Sequence, residues 1–185
     1  SITLSPATAV GGSPSTGTVT LNGPAPFGGA VVTLFSSNTA AAQVPATVTI
    51  TAGAPMATFI LTTSPVTSNS KPTISAAYRG INVSARITIT APAMAVHTIN
   101  PNTVQGGNPS TGTVTISGPA PAGGLIVTLS SNNQAVQVPA SVTVAAGTTT
   151  ATYPITTTPL TSTRSVTISA RGGYVTVRAD ITVTP

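Results

Sequence analysis

The chain has 185 residues, of which 4% are charged and 3% aromatic, and its net charge is +5. Its whole acid–base inventory is Lys71, Arg79, Arg86, Arg164, Arg171, Arg178, Asp180 and His97, and it has no Cys. One acid and one His exclude a paired-carboxylate hydrolase, a zinc site of about four ligands and a calcium cage of several carboxylates; no metal, cofactor or catalytic activity is expected.

The six cations form no cluster, so no nucleic-acid partner is expected. Thr and Ser interrupt every apolar stretch before it reaches the ~18 residues of a membrane span. Apolar residues make up 40% of the chain and mean hydropathy is +0.38, which argues for packed cores rather than disorder.

In chain order, the local signal is strand after strand. Strands are predicted near Ile2–Ser5, Gly17–Leu21, Ala30–Phe35, Thr47–Ile50, Ala57–Thr62, Thr73–Tyr78 and Ile81–Thr90. Thr18-Val19-Thr20-Leu21 and Thr47-Val48-Thr49-Ile50 alternate hydroxyl and apolar residues, the mark of a strand with one wet and one dry face. Clusters such as Asn22-Gly23-Pro24, Gly28-Gly29 and Ala52-Gly53 punctuate the runs, and no window has helical periodicity.

The same pattern then returns. Pro14-Ser15-Thr16-Gly17-Thr18-Val19-Thr20 recurs as Pro109-Ser110-Thr111-Gly112-Thr113-Val114-Thr115, and Gly23-Pro24-Ala25-Pro26 as Gly118-Pro119-Ala120-Pro121. The offset is 95 up to Leu34 and 94 from Ser36 onward, which makes Phe35 the extra residue of the first copy. About half the aligned positions are identical, so the chain reads as a duplicated domain. The expected division is residues 1–92 and 93–185, each an all-β immunoglobulin-like sandwich of about seven strands.

Pro45-Ala46-Thr47-Val48-Thr49-Ile50-Thr51-Ala52-Gly53 and Pro139-Ala140-Ser141-Val142-Thr143-Val144-Ala145-Ala146-Gly147 resemble the tandem Ig-like repeats of bacterial secreted and surface proteins. The Gly11-Gly12 and Gly106-Gly107 pairs, each followed by Gly-Thr-Val-Thr, fit the same pattern. The resemblance implies an extracellular or cell-surface location and a role as stalk, spacer, adhesive module or assembly unit. Unlike antibody domains, the chain has no Cys pair and no Trp.

The candidate contact residues lie at two hairpin tips and at the N-terminus. Tyr78-Arg79-Gly80 and Arg171-Gly172-Gly173-Tyr174 each put one Tyr and one Arg at a tip; these types favour binding hot spots, and they also suit a solubilising turn. Arg178 and Asp180, two apart on one strand, are expected to form a surface ion pair. His97 and Met94 fall in the linker, with Met94 expected to pack between the domains. Ile2 and Leu4 are expected to supply apolar contact to a neighbouring copy, because Thr184-Pro185 repeats Thr90-Ala91-Pro92 in kind and low charge weakens repulsion between neighbours. The expectation is a filament subunit or stalk building block whose partners are other copies of itself; the alternative is a module that binds carbohydrate or a cell surface.

Overall fold

The computed structural model describes all 185 residues, Ser1–Pro185, and every regular element is a β-strand. The chain divides into two compact units, Ser1–Ala91 and Pro92–Pro185. The first contains β1 (Ile2–Ser5), β2 (Thr8–Val10), β3 (Ser15–Thr20), β4 (Ala30–Ser36), β5 (Ala42–Gln43), β6 (Thr47–Ile50), β7 (Met56–Thr63), β8 (Thr73–Tyr78), β9 (Ile81–Arg86) and β10 (Thr88–Thr90). The second contains β11 (Met94–Asn100), β12 (Thr103–Gln105), β13 (Ser110–Ile116), β14 (Leu125–Ser131), β15 (Val136–Gln137), β16 (Ser141–Val144), β17 (Thr150–Thr157), β18 (Arg164–Gly172) and β19 (Val175–Thr184).

Each unit is a sandwich of two sheets. In the first, the order β1-β3-β7-β5 faces β6-β4-β8-β9. In the second, β11-β13-β17-β15 faces β12-β19-β18-β14-β16. Alternation explains the layering: in β4, Ala30, Val32 and Leu34 are buried while Val31 and Phe35 face out. The long strands sit where the Thr–Val alternation puts them. Two short ones in each unit are additions: β2 is a three-residue parallel pairing with β10 and β5 a two-residue pairing with β7, as β12 is with β19 and β15 with β17. Pro6, which has no N–H to extend the β1 ladder, precedes the segment that crosses from one sheet to the other; Pro101 does the same ahead of β12.

Pairing also relocates the extra residue of the first copy. Phe35 stands opposite Ser75 as Ser130 stands opposite Ser169, so Phe35 has a counterpart. The turn beyond keeps step, since Asn38 Oδ1 accepts the Ala41 N–H and Asn133 Oδ1 the Ala135 N–H. The added residue therefore lies within Thr39–Ala41, in a turn that absorbs it without disturbing a ladder.

The cores are separate and repeat each other. Leu61, Ile74, Ile87 and Ile89 are fully buried in the first, Ile155, Ile168, Ile181 and Val183 in the second. Met94, expected to pack between the domains, belongs to the second core at 4% exposure. Gly17 lies opposite Phe59, and Gly112 opposite Tyr153. A Cβ on either glycine would come within 2.1 Å of the facing ring, so each glycine is the seat of an aromatic side chain.

Candidate functional site

The first hairpin tip is a two-residue turn in which Arg79 has φ 47 and Gly80 φ 79. Positive φ at both central positions is the primed turn that matches strand twist, and it returns β9 onto β8 with Tyr78 opposite Ile81. By strand parity these two share the inward face with Ala76 and Val83, beyond the last fully buried layer. The two sheets do not close over this end. An apolar cleft of about 520 Å³ remains, walled by Leu21, Val32, Tyr78, Ile81 and Val83. Arg79 stands on its rim with the guanidinium 5.4 Å from the Tyr78 ring centroid, a cation–π distance. The structure thus brings Tyr78 and Arg79 together at a concave surface.

The second tip is different. Gly172 ends β18, Gly173 and Tyr174 make the turn, and Tyr174 stands 94% exposed. Arg171 is exposed within the strand, opposite Thr128 on one side and Thr176 on the other. Here the end of the sandwich is filled by its own leading segment: a Cβ on Gly172 would meet Met94 Cγ at 3.1 Å and Val127 Cγ2 at 3.2 Å.

The N-terminal residues do not present the expected apolar contact. Ile2 is 8% exposed, because it sits opposite Val19 with its side chain in the first core; Leu4 is half-buried against the same core. Asp180 takes its hydrogen bond from the Thr167 hydroxyl, its cross-strand neighbour, at 2.6 Å; Arg178, opposite Ser169, is not its partner.

One polar pair escaped the sequence reading. His97 is not a linker residue: it lies in β11, 6% exposed, with Nε2 hydrogen-bonded at 2.5 Å to the hydroxyl of buried Tyr153. Its Nδ1 is buried and makes no well-formed hydrogen bond, the Val177 backbone approaching only closely enough to favour the charged ring. Burial pushes the imidazole pKa below its ordinary value, only partly offset by the Val177 backbone. Burial likewise pushes the Tyr153 phenol up to about 12. The signal was in the duplication: Ile2 and Phe59 occupy the matching places in the first copy, so both members change from apolar to polar together.

No group of three or more His, Cys, Asp or Glu side chains gathers anywhere, and no helix is long and apolar enough to cross a membrane.

Neither a protein-family model nor a curated protein matches the sequence. Solved structures do match in fold. Invasin, a bacterial integrin-binding protein, aligns over all of this chain and 38% of its own, at 19% identity and TM-score 0.60. The D0-D1 domains of intimin align over 100% of this chain and 98% of that one, at 16% identity and TM-score 0.42. The Yersinia pseudotuberculosis adhesin InvE aligns over 98% of this chain and 58% of its own, at 18% identity and TM-score 0.43. With the strand order above, the invasin likeness establishes this chain as all-β, built of tandem immunoglobulin-like β-sandwiches.

Proposed function

We propose that these are modules of a bacterial surface or secreted protein that work by adhesive contact rather than catalysis. The observation that supports this best is the fold likeness to invasin across the whole chain, in a molecule holding a single Asp and a single His. Contact would fall to the tips, where Tyr174 stands clear of the sandwich and Arg171 flanks it on the same hairpin. Tyr and Arg concentrate binding energy when they are covered by a partner. The location would be the cell surface or the medium. The test is adhesion of beads coated with the whole chain to cell monolayers and to a glycan array. Saturable binding that falls at least tenfold in Tyr174→Ala supports the reading; no saturable binding on either surface rejects it.

A structural role, as a stalk segment or filament subunit with copies of itself as partners, is the second reading. It is favoured by outward apolar residues on both sheets of the first unit, Val31 and Phe35 on β4 and Ile60 on β7, each more than half exposed. It no longer draws on Ile2. A chain that stays monomeric by light scattering at millimolar concentration would reject self-assembly and leave the adhesive module.

A further inference from the structure

The chain holds nine asparagines, and their surroundings separate one from the rest. A backbone nitrogen attacks the side-chain carbonyl of the asparagine before it when three conditions meet: the nitrogen is free, its residue is unhindered, and the asparagine side chain is not held elsewhere. Eight of the nine fail on at least one count. Asn100 and Asn108 precede Pro101 and Pro109, whose nitrogens carry no hydrogen to lose. Asn38, Asn69, Asn132 and Asn133 have their side-chain oxygens engaged by the N–H groups of Ala41, Ala91, Thr167 and Ala135, at 3.2, 2.9, 3.0 and 2.9 Å. Asn82 and Asn102 precede Val83 and Thr103, β-branched residues set in the ladders of β9 and β12.

Asn22 meets all three. It is exposed, in the bend that follows β3, and Gly23 comes next. The chain is pinned on either side of the pair, the Leu21 N–H donating to the Pro55 carbonyl and the Ala25 N–H to the Ala54 carbonyl, each at 2.8 Å, whereas the Gly23 N–H donates to no protein acceptor. A Cβ built on Gly23 would meet nothing within 4 Å, so open space surrounds the attacking residue. With no side chain of its own, the glycine leaves its nitrogen unhindered and its backbone free to turn toward the Asn22 amide.

We propose that Asn22-Gly23 is a self-modifying site, at which the asparagine becomes aspartate and isoaspartate. The Gly23 nitrogen gives its proton to solvent base and bonds to Asn22 Cγ. The Cγ–Nδ2 bond breaks, the nitrogen takes up a proton and leaves as ammonia, and a cyclic imide remains. Water then opens the ring. Addition at Cγ restores the ordinary main chain with an aspartate; addition at the Asn22 backbone carbonyl carbon leaves isoaspartate, with the main chain routed through Cβ and Cγ. Water is the one further reactant. Either product gives a carboxylate to a chain whose only acid is Asp180, and lowers its net charge of +5 by one. Asn22 and Arg79 line the same cleft, so the new anion forms on a surface that already carries a cation at its rim. In the second copy Ser117 stands in this place, and its hydroxyl offers no carbonyl to attack, so the change belongs to the first unit alone.

The modification is independent of the adhesive reading. The test holds the folded full chain at mildly alkaline pH for several weeks, maps its peptides by mass spectrometry and counts isoaspartate by enzymatic methylation. Asn22 should convert ahead of every other asparagine and give both acids. Gly23→Ala, which the open space accommodates, should slow the conversion by at least tenfold, roughly the effect of a methyl beside the attacking nitrogen and a stiffer backbone. Asn22→Ser should remove isoaspartate from the first unit. Conversion of Asn82 or Asn102 as fast as Asn22 overturns the proposal, because local structure would then select nothing. Gly23→Ala converting at the wild-type rate overturns it too, since the side chain would be hydrolysed directly without the ring. So does an Asn22 that stays intact in the folded chain while converting in the denaturant-unfolded one, which would show that the fold protects this loop.

Discussion

The pair His97–Tyr153 shows how one core tolerates two chemistries. Ile2 with Phe59 in the first unit buries only carbon; His97 with Tyr153 in the second buries a nitrogen and a hydroxyl that satisfy each other. Removing one partner strands the other. His97→Ile should therefore cost about 1–3 kcal/mol in denaturant unfolding of the second unit, the price of an orphaned buried hydroxyl. The double change His97→Ile with Tyr153→Phe, which recreates the first unit's pair, should recover most of it. Additive losses in that cycle would show the bond is not what couples the two residues. Neither residue was legible as half of a pair from local sequence, since 56 positions separate them and Tyr153 lies in a strand that looks ordinary. The same site carries the glycine seats. Gly112→Ala would drive a methyl into the Tyr153 ring and should cost about 1–3 kcal/mol, as overpacking does, with Gly17→Ala doing likewise under Phe59. Thermal unfolding of both variants checks this, and wild-type melting would mean the rings have somewhere else to go.

At the scale of the element, strands were legible wherever hydroxyl and apolar residues alternate for four or more positions, because one face must bury carbon and the other must meet water. The pairings of Thr8–Val10 and Ala42–Gln43 were not, since two or three residues carry too few alternations and their pairing is decided by what lies alongside. The break between β9 and β10 was also hidden: the Pro72 carbonyl accepts the Ile87 N–H but Pro72 has no N–H to return, so the last strand of the first unit is split where that of the second, with Val166 opposite Ile181, runs unbroken over Val175–Thr184. The cleft could not be read from either copy alone, for it goes with the difference between Tyr78, whose ring lines it, and Gly172 at the matching place of the second unit. The first hairpin offers a direct test of turn chemistry. Arg79 pays the left-handed penalty that Asn tolerates, and Asn-Gly is the preferred primed-turn pair. Arg79→Asn should raise the stability of the first unit by about 0.5 kcal/mol, and Gly80→Ala should lower it by about 1 kcal/mol. Equal stabilities in chemical denaturation would mean the tip is not held in this turn.

For the whole molecule, the two cores draw on residues from one unit each, and both units reach a size at which a single core suffices. Residues 1–91 and 92–185, expressed apart, should each fold to a β-rich monomer. Their responses to pH should differ, and the direction follows from the His97–Tyr153 pair. His97 titrates lower in the folded unit than its ordinary 6.5, so below that pH the unfolded chain takes up the proton first and stability falls as pH falls, by at most about 1.4 kcal/mol per pH unit. Tyr153 titrates at about 12 when folded against 10.0 when free, so stability also falls as pH rises above 10. The second unit should therefore lose stability on both sides of a window from about 6.5 to 10, while the first, with Ile2 and Phe59 in those places, lacks both terms. The start of the second unit can be tested in the same experiment. Met94 is a core residue, so a fragment beginning at Ala95 should be less stable than one beginning at Pro92 by about 2–5 kcal/mol, the usual loss for deleting a buried Met side chain. Melting curves of the three fragments across pH 4 to 11 decide the matter. Identical pH profiles for the two halves would remove the buried pair as their distinguishing feature, and equal stability with and without residues 92–94 would return Met94 to the linker.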